Sequence, residues 1–167
     1  YFKYAKSQRL RVRSDFSSVG GGRIAPYDKE LKAAADQLNV DWILLASQMY
    51  QESKFDPSVE SWAGAMGLMQ LTSISLEEYD VEDPFDPQEN IRAGIRHIQW
   101  LEKYWEDKIT DSDERLRFIL ASYNVGQGHL ADARRLAIDH NEDPNEWENV
   151  SEALLRLMQR KYYQNAR

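Results

Sequence analysis

The chain predicts an all-α fold, a single domain of six or seven helices. Three observations carry this. Apolar residues recur at helical spacing in successive segments; capping and breaking residues stand between those segments; and no convincing period-2 strand pattern occurs anywhere. A length of 167 residues with 42% hydrophobic content suits one compact domain with a real core.

Taken in order, residues 1–26 differ from the rest. They hold a basic run (Lys3, Lys6, Arg9, Arg11, Arg13), then Gly20-Gly21-Gly22 and Pro26, and read as an arm or linker with no core of its own. Residues 27–38 carry Leu31, Ala34, Ala35 and Leu38 on one helical face. Asp41 is a suitable N-cap for a helix from Trp42 to Ser53, and Asp56-Pro57 stops its continuation. Asp86-Pro87 opens the next helix, whose face is marked by Ile91, Ile95, Ile98, Leu101 and Trp105. Asp113 or Ser112 is expected to cap the run Leu116, Ile119, Leu120 and Tyr123, which ends near Asn124 and Gly126. Residues 128–139 and 150–163 supply two further amphipathic segments.

The formal net charge of −7 argues against nucleic acid or an anionic membrane as the main partner, because both require a clustered positive surface. The basic run near the start is the exception and reads as a solvated arm. With no cysteine, disulfides, zinc–thiolate clusters and thiol nucleophiles are excluded. Asp139, Asn141, Asp143 and Asn145 imitate the start of a calcium loop, yet Pro144 stands where glycine is needed and Val150 where a bidentate Glu is needed. No metal and no cofactor are expected. Opening on Tyr1 rather than Met, the sequence reads as a processed product or an excised piece.

The candidate chemistry centres on Glu52. Leu45, Met49 and Glu52 are spaced i, i+4, i+7 and share an apolar face. Desolvation there raises a carboxyl pKa, and so does the negative end of the helix dipole. Glu52 is therefore expected to hold its proton near neutrality, as a general acid must; the alternative is a side chain projecting into water from a frayed helix end. The small residues Gly64, Ala65 and Gly67 follow, and they would let a ligand lie against the backbone. Met69 offers an apolar contact for an acetamido methyl, Gln70 a donor and an acceptor, and Ser61 a hydroxyl able to orient the acid. Each also has a plainer use: Met69 in the core, Ser61 in a turn, Asn124 as a helix stop. Tyr123 aligns with Leu116 and Leu120, so its ring is expected in the core with its hydroxyl seeking a polar partner. One carboxylic acid among amides and a phenol is equipment for protonating a glycosidic oxygen.

Glu52-Ser53, Gly67-Leu68-Met69-Gln70 and Tyr123-Asn124 resemble the three signature motifs of the family 1 lytic transglycosylases, goose-type-lysozyme-like enzymes of bacterial cell walls. The resemblance runs from about Tyr27 to the last helices, and Ser122 stands where many relatives have alanine. It implies a lysozyme-like helical catalytic domain over residues 27–167. It also implies cleavage of the N-acetylmuramic acid to N-acetylglucosamine bond in peptidoglycan glycan strands without water, forming a 1,6-anhydro ring. Glu52 would act first as acid and then as base, and the substrate's own acetamido group would replace the second carboxylate of ordinary glycosidases. Ser61 would orient Glu52, Gly67, Met69 and Gln70 would shape and bind the sugar site, and Tyr123 and Asn124 would support it. The resemblance further implies a preceding solute-binding-like regulatory domain, to which residues 1–26 would connect, and a periplasmic setting at the outer membrane. The alternatives are a muramidase, for which Asp56 or Glu60 would have to activate water, and a non-catalytic glycan-binding module.

Overall fold

A computed structural model of the chain describes residues 26–38 and 40–157, and every described regular element is an α-helix. The basic run of the first 25 residues and the closing segment from residue 158 lie outside the described residues. The helices are α1 (Asp28–Leu38), α2 (Trp42–Ser53), α3 (Ser73–Glu78), α4 (Pro87–Glu106), α5 (Ser112–Val125), α6 (Gln127–Asp139) and α7 (Trp147–Leu157). The chain divides into two compact units, Tyr1–Ile95 and Arg96–Arg167, and α4 begins in the first and ends in the second.

In the first unit α1 packs against α2, burying Leu31, Ala34, Ala35 and Leu38 along with Leu45, Ala46 and Met49. Asp41 starts α2 as expected, its carboxylate accepting the N–H of Ile43 at 2.9 Å. The helix ends at Lys54 (φ 58°) and Phe55 (φ 65°), two successive residues in the left-handed region. The Lys54 ammonium lies 4.0 Å from the centre of the Tyr50 ring, and Phe55 packs on the same ring at 5.4 Å, which holds this reversal in place. Asp56 then forms a turn of its own, its Oδ1 accepting both the N–H (2.9 Å) and the hydroxyl (2.7 Å) of Ser58.

The short helix α3 was not anticipated by periodicity. It has six residues and buries only Leu76, and it is started by Thr72, whose hydroxyl accepts the N–H of Ser75. Asp86 caps α4, accepting the N–H groups of Gln88 (3.0 Å) and Glu89 (2.9 Å).

In the second unit α6 packs against α5 and α7 around Phe118, Leu130, Ala133, Ala137 and Val150. Trp105 and Phe118 meet at 5.2 Å between ring centres, and Phe118 meets Trp147 edge-on at 5.7 Å. The cap of α5 is Asp111, not Ser112 or Asp113: its Oδ1 accepts the N–H groups of Asp113 and Glu114, each at 2.9 Å. Four consecutive capping residue types, Thr110 to Asp113, make the start ambiguous, and Asp111 takes the position. The calcium-like run is built into a turn, with Asp143 accepting the N–H of Asn145 and Asn145 accepting from Arg134.

Candidate functional site

Glu52 lies in the last turn of α2 and is 5% exposed, so it does not project from a frayed end. Leu45 and Met49, the residues expected to share its face, are buried with it. Its Oε1 accepts a hydrogen bond from Nε2 of Gln48 at 3.0 Å. Gln48 was not singled out from the sequence; a donor four residues before an acid on a helix was the available signal. The adjoining Ser53 is buried as well, its hydroxyl donating to the carbonyl of Met49 at 3.2 Å.

Residues 59–71 form a tight loop that folds on itself. Two isolated antiparallel bridges, Glu60 with Met66 and Met66 with Leu71, fix its course. Ser61 closes the tip. Its N–H donates to the carbonyl of Ala65 (2.8 Å), its carbonyl accepts from Gly64 (2.9 Å), and its hydroxyl oxygen accepts the N–H of Ala65 (3.0 Å). The turn use of Ser61 is therefore present. The hydroxyl still has its own hydrogen to donate, because accepting uses only a lone pair. Trp62, next along the tip, is 83% exposed.

Gly67 departs from its expected use. It is buried at φ +78°, and a Cβ added there would lie 2.2 Å from Nδ2 of Asn90 and 2.3 Å from the carbonyl oxygen of Pro84. Its missing side chain makes room for the protein's own Asn90, whereas Gly64, at φ +75°, faces open space. Asn90 was overlooked in the sequence. Fully buried on α4, it accepts the N–H of Met69 at 2.7 Å and donates to the carbonyls of Met66 (3.1 Å) and Pro84 (2.9 Å). An asparagine within an otherwise apolar helical face is a poor helix former, and that was its signal.

The two residues after Leu68 serve the loop. Met69 is 1% exposed and packs against Gly94 of α4, where any Cβ would meet its Cγ at 2.7 Å. Gln70 is 6% exposed with φ +49°, and its Nε2 donates to the carbonyls of Val59 and Gly67, each at 3.0 Å. The donors expected to face a sugar are thus engaged inside the loop.

In the second unit Tyr123 is half-buried on α5, and its ring meets His97 edge-on at 5.4 Å. Its neighbour Ser122 is buried, and its hydroxyl accepts the indole N–H of Trp105 at 2.8 Å. Asn124 is exposed and its amide donates to the carbonyl of Leu120 at 2.9 Å, one turn back along its own helix. Gly126 ends α5 at φ 89°, its N–H reaching the carbonyl of Ser122.

Membrane-bound lytic murein transglycosylase F of Desulfosudis oleivorans is 43% identical over 141 residues, covering 84% of this chain and 31% of that protein. The protein of the same name from Pseudomonas fluorescens (strain Pf-5) is 41% identical over 87% of this chain and 30% of its own length. That from Maricaulis maris is 41% identical over 87% of this chain and 32% of its own length. The chain thus spans about a third of the length of these relatives. A sequence profile described as the transglycosylase SLT domain matches residues 30–146, a stretch that takes in Glu52, the 59–71 loop and Tyr123. On that match, with its lysozyme-like all-α fold, the chain belongs to the transglycosylase SLT domain family.

Proposed function

We propose that this chain is the catalytic part of a peptidoglycan lytic transglycosylase. It would cleave the β-1,4 bond between N-acetylmuramic acid and N-acetylglucosamine and leave 1,6-anhydro-muramyl ends. The observation that carries the reading is the burial of Glu52 in the last turn of α2, within a chain of this family. A carboxyl kept from bulk water can deliver a proton where the leaving oxygen needs one.

The reaction balances with one acid. Glu52 gives its proton to the glycosidic oxygen, and the bond from that oxygen to C1 of the muramyl sugar breaks, its electron pair going to the oxygen. The acetamido carbonyl oxygen of the muramyl sugar bonds to C1 from the opposite face. The Glu52 carboxylate then takes the proton of the C6 hydroxyl, O6 bonds to C1, and the acetamido oxygen leaves. Hydrolysis would need a second carboxylate to activate water. Asp56, one candidate, is exposed and engaged with Ser58 in its own turn.

The loop of residues 59–71 enters the proposal as a rigid wall of the sugar site, shaped by Gly67, Met69 and Gln70 from within and presenting its backbone. Ser61 has the hydroxyl suited to orienting the acid. Tyr123 and Asn124 are proposed to serve the same reaction on the strength of their motif. Glycan strands are the proposed substrate, the periplasmic side of the envelope the proposed setting, and a solute-binding-like amino-terminal domain the proposed regulator.

Mass spectrometry of muropeptides released from purified sacculi tests the reading. Anhydro-muramyl ends are expected; reducing ends would make the chain a hydrolase, and no release would leave it a binding module.

A further inference from the structure

The proposed reaction uses Glu52 twice and assigns nothing to Gln48. The two side chains stand four residues apart on α2, on the same face of the helix, and the Gln48 amide nitrogen donates to Oε1 of Glu52 at 3.0 Å. We propose that Gln48 is a positioning residue for the acid: its amide fixes Oε1 as the carbonyl oxygen, so that Oε2 carries the proton and gives it up. The inference rests on the reading of Glu52 as the general acid.

A protonated carboxyl has one O–H donor and one carbonyl acceptor, and the proton can sit on either oxygen. The carbonyl oxygen of a carboxylic acid is a better acceptor than its hydroxyl oxygen, so the Gln48 N–H directed at Oε1 disfavours the form with the proton on Oε1. A proton on Oε2 leaves Oε1 free to accept. One of the two protonated forms is thereby selected before substrate arrives.

The same contact also acts during the transfer. As the proton passes from Oε2 to the glycosidic oxygen, negative charge spreads over both carboxylate oxygens. The Gln48 amide then donates to an anion, and hydrogen bonds to charged groups are stronger than those to neutral ones. A contact that tightens as charge develops raises kcat, whereas one equally strong throughout would alter only KM.

Gln48→Met keeps length and removes the donor; Gln48→Glu puts an acceptor in its place. On the full-length protein with a soluble muropeptide oligomer, Gln48→Met should lower kcat on the order of 10-fold, with KM held within about twofold. Its thermal midpoint and its retention on sacculi should match those of the wild type. Gln48→Glu should lower kcat further, because a second carboxyl group now faces Glu52. Wild-type kcat in Gln48→Met, or a loss matched by a lower thermal midpoint or a raised KM, would overturn the positioning role. If Glu52→Gln keeps wild-type turnover, it is the acid assignment that fails, and the two failures are told apart.

Discussion

Oδ1 of Asn90 accepts the backbone N–H of Met69 at 2.7 Å, across 21 residues of chain. With the two carbonyls that its Nδ2 serves, this one side chain ties the 66–69 turn and the Pro84 segment to α4. Asn90→Ala would leave a buried N–H and two carbonyls without that partner. At ~1–3 kcal/mol for each unmet buried group, the loss should reach about 3 kcal/mol. Urea unfolding followed by circular dichroism checks it, and a loss below about 1 kcal/mol would remove Asn90 from this part.

Gly67→Ala should be worse tolerated than Gly64→Ala. Both residues have positive φ, so each substitution carries backbone strain of ~1–3 kcal/mol. Only at position 67 does the new methyl also collide with Asn90 and the Pro84 carbonyl, adding ~1–3 kcal/mol of overpacking. Thermal midpoints of the two variants, compared side by side, decide it; equal values would contradict the close approach.

Ser122→Ala should destabilise this chain by ~1–3 kcal/mol. The indole N–H of Trp105, whose side chain is completely buried, donates to that hydroxyl. A Trp105→Phe background should remove most of the cost, because no donor is then left unmet. A double-mutant cycle by chemical denaturation reads the coupling.

Glu52→Gln preserves shape and removes the proton to be given. Turnover on sacculi should fall by at least ~10²-fold, and up to ~10⁴-fold, while sacculus binding persists. Near-normal release of anhydro-muropeptides by this variant would end the assignment.

The Tyr27 phenol is pushed above its ordinary pKa of 10.0, chiefly by burial and then by the charges of Asp56 and Glu30. A raised value in the folded chain means that the folded form holds this proton more tightly than the unfolded one. The contribution is therefore complete below about pH 10 and lost as pH rises through the folded value. Tyr27→Phe should flatten the fall in stability above pH 10, as read by denaturant titrations at stepped pH.

Local chemistry made much of this legible in the sequence. The α2 helix begins where Asp41 sets it and ends at Ser53, short of Asp56-Pro57, which puts Glu52 in the last turn. Short or non-local features were not legible. The α3 helix offers a single buried apolar residue in six, too few for a period. Gly67 reads in the sequence as room for a ligand, but what lies against it is Asn90, 23 positions later, and spacing along the chain does not reveal such a meeting. Met69 and Gln70 are open in the sequence between a structural and a ligand-facing use because side-chain type alone does not give direction; in the structure both are buried.

Because both amide hydrogens of Gln70 are held by the carbonyls of Val59 and Gly67, replacing it would loosen the 59–71 loop itself before it altered anything the loop touches. Attempts to retune selectivity at this position would therefore report on stiffness. Trp62, exposed at the loop's tip, is the better place to graft new recognition.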